Sequence, residues 1–185
     1  MSSQALATAE PKMARAVDVM VRDFQAVRTG RASTALVERL TVEYYGTPTP
    51  LNQLAGISVP EAHSIVIQPW DRAALGAIEK AIQKSDLGLT PNVDGSVVRL
   101  NIPQLTEERR RDLVKQVHKR MEEARVEIRN LRREAADELK REEHDGEISV
   151  DESRREHEQL QKLTDRYIDE VDRNGRAKEQ EVLAV

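Results

Sequence analysis

Residues 106–146 read TEERRRDLVKQVHKRMEEARVEIRNLRREAADELKREEHDG, and this stretch decides the fold. Leu113, Val117, Met121, Ala124, Ile128, Leu131, Ala135 and Leu139 recur every three or four residues along it, the period of one face of an α-helix. Thr106 can cap the start, and Glu107 and Glu108 sit in the first turn, where the helix dipole favours acids. Asp145-Gly146 supplies the stop. Some 40 residues at about 1.5 Å each make a rod of roughly 60 Å. A rod that long, with only one apolar stripe, has to lie against other helices.

The sequence offers two. Leu6, Met13, Val17, Met20, Phe24 and Val27 form a heptad-like stripe near the N-terminus. Pro11 is read as lying in its first turn, and Gly30, after Thr29, as its C-cap. At the other end, Ser149-Val150-Asp151-Glu152 spells a capping box, followed by Leu160, Leu163, Tyr167, Val171 and Val182. Asn174-Gly175 is expected to weaken that last helix locally, by about 1 kcal/mol relative to alanine. The expectation is a three-helix bundle formed by residues 1–30 and 105–185.

Between them the character changes. Six of the seven prolines fall in residues 31–104. Strand-like runs stand at Leu40–Tyr45, Ser64–Ile67 and Val97–Ile102, with turn chemistry at Gly46-Thr47-Pro48 and Asp94-Gly95. One helix, Asp71–Lys84, interrupts them, with Asp71 as N-cap and Leu75, Ile78 and Ile82 on one face. The fold class is therefore α+β, a three-helix bundle with a small inserted β/α/β domain. The chain crosses twice, near 30–31 and 104–106. Gly30, Arg31, Gln104, Leu105 and Thr106 are the residues that a hinge there would use.

Composition narrows the function. With no cysteine there is no disulfide, thiolate metal site or cysteine nucleophile. No apolar run approaches the roughly 18 residues of a membrane span, and no leader pattern opens the chain, so a cytoplasmic protein is expected. No phosphate-binding glycine loop and no H-E-x-x-H pair occur, so neither a nucleotide cofactor nor catalysis is expected. His144 and His157 flank a helical turn but read most simply as solvated side chains, and no metal is expected.

Charge is the informative feature. The net charge is −4, yet residues 109–133 carry ten basic and four acidic side chains, whereas residues 134–185 carry nine basic and seventeen acidic. On a helical wheel centred on Ala124, Arg132 falls at about 80°, Arg125 at about 100° and Arg129 at about 140°, with the acids Glu123, Glu127 and Glu134 on the opposite flank. An arginine strip beside an apolar seam suits phosphate, which guanidinium forks bind through paired hydrogen bonds. With no aromatics interleaved, RNA would be held by backbone and shape rather than by base stacking. The same arginines can instead pair with the acid-rich last helix, and both readings stand. So do RNA contact and junction contact for Arg28, at the edge of the first helix's stripe.

Several runs, in order along nearly the whole chain, carry a resemblance. They are Arg28-Thr29-Gly30-Arg31-Ala32, Val42-Glu43-Tyr44-Tyr45-Gly46-Thr47-Pro48-Thr49-Pro50-Leu51, Glu79-Lys80-Ala81-Ile82, Ser85-Asp86-Leu87-Gly88-Leu89, Leu105-Thr106-Glu107-Glu108-Arg109-Arg110, Arg129-Asn130-Leu131-Arg132-Arg133 and Gln161-Lys162-Leu163-Thr164-Asp165. The sequence resembles the bacterial ribosome recycling factor family. The resemblance implies an L-shaped monomer that, with elongation factor G and GTP, splits post-termination ribosomes and releases them from mRNA for reuse. It implies that the bundle binds large-subunit rRNA, with Arg132 foremost and Arg129 nearby; the basic residues themselves add Arg125, Arg133 and Arg28 as candidate rRNA contacts. It also implies that the insert swings about the hinge when elongation factor G pushes it, and that GTP is used by that partner. The competing class is a helical scaffold that binds another coiled coil. Salt-sensitive binding to large subunits separates the two, because phosphate contacts release counterions.

Overall fold

The apolar stripes of the three long segments close on one another in the computed structural model, which describes residues 3–184. The leader reading at Met1 and Ser2 and the outermost bundle positions at 1, 2 and 185 lie outside the described residues. Three long helices form one unit with residues up to 28 and from 107 onward: α1 (Gln4–Ala26), α3 (Glu107–His144) and α4 (Val150–Leu183). Met13, Met20, Ala124, Ile128, Leu139, Leu160 and Val171 make its buried core. Residues 29–106 form a second unit with a separate core of Val42, Leu51, Ile65, Ile67, Ile78, Ile82, Val98 and Leu100. The architecture is the expected α+β one.

Local chemistry sets the helix ends. The α3 helix stops in a Schellman arrangement: Glu147 N–H reaches the Glu142 carbonyl at 2.9 Å and Gly146 N–H reaches Glu143 at 3.2 Å, with Gly146 at φ 76°. The α4 helix opens on the Ser149/Glu152 capping box. At the start of α1, Ser3 caps, and two buried glutamates from the other helices add acceptors. Glu156 Oε2 accepts from Ser3 N–H and Oγ–H at 3.2 and 2.8 Å, and Glu142 Oε1 accepts from Ala5 N–H at 3.2 Å. Carboxylates at a helix N-terminus complement its dipole.

Two expectations are corrected here, at Gly30 and Pro11. Helix α1 ends at Ala26 with Val27 as C-cap, so Gly30 does not cap it. Gly30 instead sits in the second unit at φ 74°, where an added Cβ would lie 3.2 Å from Leu105 Cγ, and its carbonyl takes a 2.7 Å hydrogen bond from His63 Nδ1. Pro11 is the eighth residue of α1, not a first-turn residue. Its ring is exposed, so water can serve the Ala7 carbonyl that loses its helical donor. Gly175 leaves α4 unbroken and is buried, because Met121 of α3 occupies the space its side chain would take.

The second unit has twice the strands expected. β1 (Thr41–Tyr44) and β2 (Thr47–Pro50) make a hairpin. β3 (Ala55–Glu61), β4 (Ser64–Pro69), β5 (Pro91–Asp94) and β6 (Val97–Asn101) make an antiparallel sheet in the order β3-β4-β6-β5. Asp71 accepts from Ala73 N–H as foreseen, but it opens a 3-10 turn (Arg72–Ala74) that leads into α2 (Leu75–Lys84).

Candidate nucleic-acid interface

Because α3 runs unbroken for 38 residues, side chains three, four and seven apart stack along one flank. Of the sequence-predicted arginines, Arg125, Arg129 and Arg132 fall on that flank, and the structure gives them different partners. Arg125 is the most engaged. Its Nε and Nη2 donate to Asp172 Oδ1 on α4 at 2.9 and 2.6 Å, and Nη1 donates to Glu122 Oε2 at 3.1 Å. Asp172, then Glu122, hold its guanidinium firmly protonated. Glu122 is held below the usual carboxylate range by Arg125 first and Arg129 second. Arg129 spans to Glu122 Oε1 at 2.6 Å, and its Nε donates to the Arg125 carbonyl at 3.3 Å. The pairing with the last helix, left open by the sequence, is thus made by Arg125, while Arg129 pairs within its own helix.

Arg132 is held differently. Its Nη1 donates to Gln161 Oε1 at 3.3 Å, and Gln161 Nε2 donates onward to Asp165 at 2.9 Å. The neutral amide orients the guanidinium without cancelling its charge. Arg132 is half-buried, Arg133 is exposed, and neither forms an ion pair among the described residues. Arg28 is exposed, two residues past α1. Sequence reasoning assigned Gln161 no role. It stands on α4, the helix antiparallel to α3.

The five crossing residues lie in or beside the second unit's edge. Gly30 is buried, Leu105 half-buried, and Arg31, Gln104 and Thr106 are exposed. His63 meets both crossings: its ring donates to Gly30, and its carbonyl accepts from Ile102 N–H at 2.7 Å. Among the described residues no group of three or more His, Asp or Glu is placed to hold a metal ion, and no helix is long and apolar enough to cross a membrane.

The sequence model described as Ribosome recycling factor matches residues 20–183. The chain belongs to the ribosome recycling factor family. The recycling factor of Halalkalibacterium halodurans is 55% identical over 185 residues, covering all of both chains. That of Heliobacterium modesticaldum is 57% identical over 176 residues, 95% of each chain. A solution structure of the ribosome recycling factor matches all of both chains with TM-score 0.75 and 51% identity. Also similar, with TM-score 0.62 and 45% identity over all of both chains, is a recycling factor from models of the T. thermophilus protein and E. coli elongation factor G bound to the E. coli post-termination complex.

Proposed function

We propose that this protein acts with elongation factor G and GTP to split post-termination ribosomes into subunits and free them from mRNA, binding the large subunit through the basic flank of α3. The recycling reading is supported by full-length similarity to recycling factors, one of them in models of the post-termination complex with elongation factor G. The observation that carries the binding reading is the split among the arginines. Arg125 spends its donors on Asp172 and Glu122, and so stiffens the α3–α4 pair. Arg132 and Arg133 keep their full charge, and the amide of Gln161 aims the first of them. An oriented, uncancelled guanidinium is what a phosphate oxygen pair requires. Arg129 lies on the same flank of α3, and Arg28, just past α1, is a further candidate contact.

In this reading the protein performs no catalysis. It binds no cofactor of its own, and elongation factor G supplies GTP hydrolysis. It works as a monomer in the cytoplasm. Residues 1–30 and 105–185 serve as the RNA-binding body, residues 31–104 receive the push, and the crossings near 30–31 and 104–106 form the hinge. The test is a splitting assay on post-termination ribosomes with and without elongation factor G and GTP. Subunit release that needs all three components is expected, and release that ignores this protein would overturn the reading.

A further inference from the structure

Five asparagines stand in the chain, and Asn174 alone is followed by glycine. An Asn-Gly pair is the one most prone to lose its side-chain amide. Glycine has no Cβ and a freely turning backbone, so its nitrogen can reach the Cγ of the asparagine before it. Asn52, Asn92, Asn101 and Asn130 are followed by Gln53, Val93, Ile102 and Leu131, whose side chains hinder that approach.

Packing accounts for the glycine. Gly175 is buried in α4, and Met121 of α3 fills the space that a Cβ would take. The same packing shields the pair. Inside α4 the Gly175 N–H is turned back to the Val171 carbonyl, and helical backbone angles hold that nitrogen out of line with Asn174 Cγ. Asn174 is half-buried, and its Nδ2 donates to the Glu170 carbonyl at 2.7 Å, which tethers the amide. Two residues earlier, Asp172 Oδ1 accepts from Arg125 at 2.9 and 2.6 Å, so this turn of α4 is fastened to α3.

We propose that Asn174-Gly175 is a guarded deamidation site, closed while α4 is wound against α3 and converted when that turn opens. In the open turn the Gly175 nitrogen attacks Asn174 Cγ. A new N–Cγ bond forms and the Cγ–Nδ2 bond breaks. The proton lost from Gly175 N–H balances the one that Nδ2 gains as it leaves as ammonia. The product is a five-membered succinimide. Water then adds to one of its two carbonyls and opens the ring. One opening leaves aspartate, and the other leaves isoaspartate, with the main chain running through Cβ and Cγ. Water is the sole co-reactant, and nothing is oxidised or reduced.

Neither product fits the closed bundle as asparagine does. Aspartate puts a carboxylate where the amide donor met the Glu170 carbonyl, and it stands four residues from the like charge of Glu170. Isoaspartate lengthens the backbone inside α4 and shifts Gly175 away from Met121. Both loosen the α3–α4 pair beside the Arg125–Asp172 bridge, so a converted chain reopens more readily. The change runs one way and records that the helix has opened. It uses only the packing of the bundle and stands apart from the recycling reading.

The test incubates the full chain in mildly alkaline buffer, with and without urea. Tandem mass spectrometry locates the mass gained when an amide becomes an acid. The Asp-Gly pairs at Asp94-Gly95 and Asp145-Gly146 rearrange without that gain and do not disturb the reading. In urea, Asn174 should convert ahead of the other four asparagines. In native buffer its conversion should be slower by about a hundredfold or more, because only the open fraction reacts. Arg125→Ala, which releases Asp172, should raise the native rate by about fivefold or more. Hydrogen exchange of the Gly175 amide, followed by NMR, should rise by the same factor, since both reactions need that N–H freed. Asp172→Asn, a milder break of the same bridge, should act in the same direction, and a thermal melt checks that both variants fold. A native rate equal to the urea rate overturns the proposal. So does an Asn174 that converts no faster than the other asparagines in urea, or a variant whose Gly175 amide exchanges faster while conversion does not follow.

Discussion

Neighbouring arginines on one helix flank do different work because their acceptors differ. Arg132 leans on an amide and keeps its charge available, so Arg132→Ala should weaken binding to large subunits by about 1–3 kcal/mol and leave the melt nearly unmoved. Arg125 bridges α3 to Asp172 with only 27% of its side chain exposed, so Arg125→Ala should lower stability by about 1–2 kcal/mol. Its effect on ribosome affinity should be the smaller of the two. Equal effects of both substitutions on affinity and melt would dissolve the distinction. In the insert, the Tyr44 phenol is pushed up to about 12, chiefly by its hydrogen bond to Asp71. The sign is fixed by the folded value lying above the unfolded value of 10.0. The bond's contribution is whole below that pH and is lost as pH rises through about 12. Ultraviolet titration should show a late tyrosine, and Asp71→Asn should return it to the ordinary range.

At the scale of elements, what the sequence reveals depends on which side of the backbone meets water. Helices α3 and α4 were legible because a single stripe and their caps agree with the fold. The central strands β4 and β6 were legible because Ile65, Ile67, Val98 and Leu100 alternate into the core. Both edge strands were missed, since β3 carries Pro60 beside a bulge and β5 begins with Pro91; edges tolerate what interiors cannot. The arginine strip was legible as a face, but Gln161 was not, because a wheel shows one helix and never its neighbour. The packing role of Gly175 was hidden for the same reason. Its cost in helix propensity is real, yet it clears the space for Met121. Gly175→Ala should therefore destabilise by about 1–2 kcal/mol despite the propensity gain. In a Met121→Ala background the same change should stabilise, because the crowding is gone and only the propensity remains. A thermal double-mutant cycle reads this reversal of sign, and two changes of the same sign would mean that Met121 does not set the constraint.

For the whole molecule, the decisive fact is that two hydrophobic cores share one chain without sharing buried residues. A bundle core that draws on nothing from residues 29–106 does not need them to form. His63 pins the entry at Gly30 and the exit at Ile102, so the insert closes its own boundary. A shortened chain joining 1–30 to 105–185 through a flexible linker should accordingly keep its helical signal and melt cooperatively. The charge is divided as sharply as the cores. The bundle holds the block of ten basic and four acidic residues at 109–133, while the insert is nearly balanced and carries the exposed Tyr45 and Trp70. The shortened chain should therefore bind large subunits, with affinity falling steeply as salt rises, because phosphate contacts release counterions. With elongation factor G and GTP it should still fail to split ribosomes, since the surface that receives the push is gone. A bundle that recycled ribosomes alone would sink this division of labour. So would a shortened chain whose binding ignored salt, because the charge left on Arg132 and Arg133 would then have no polyanion to meet.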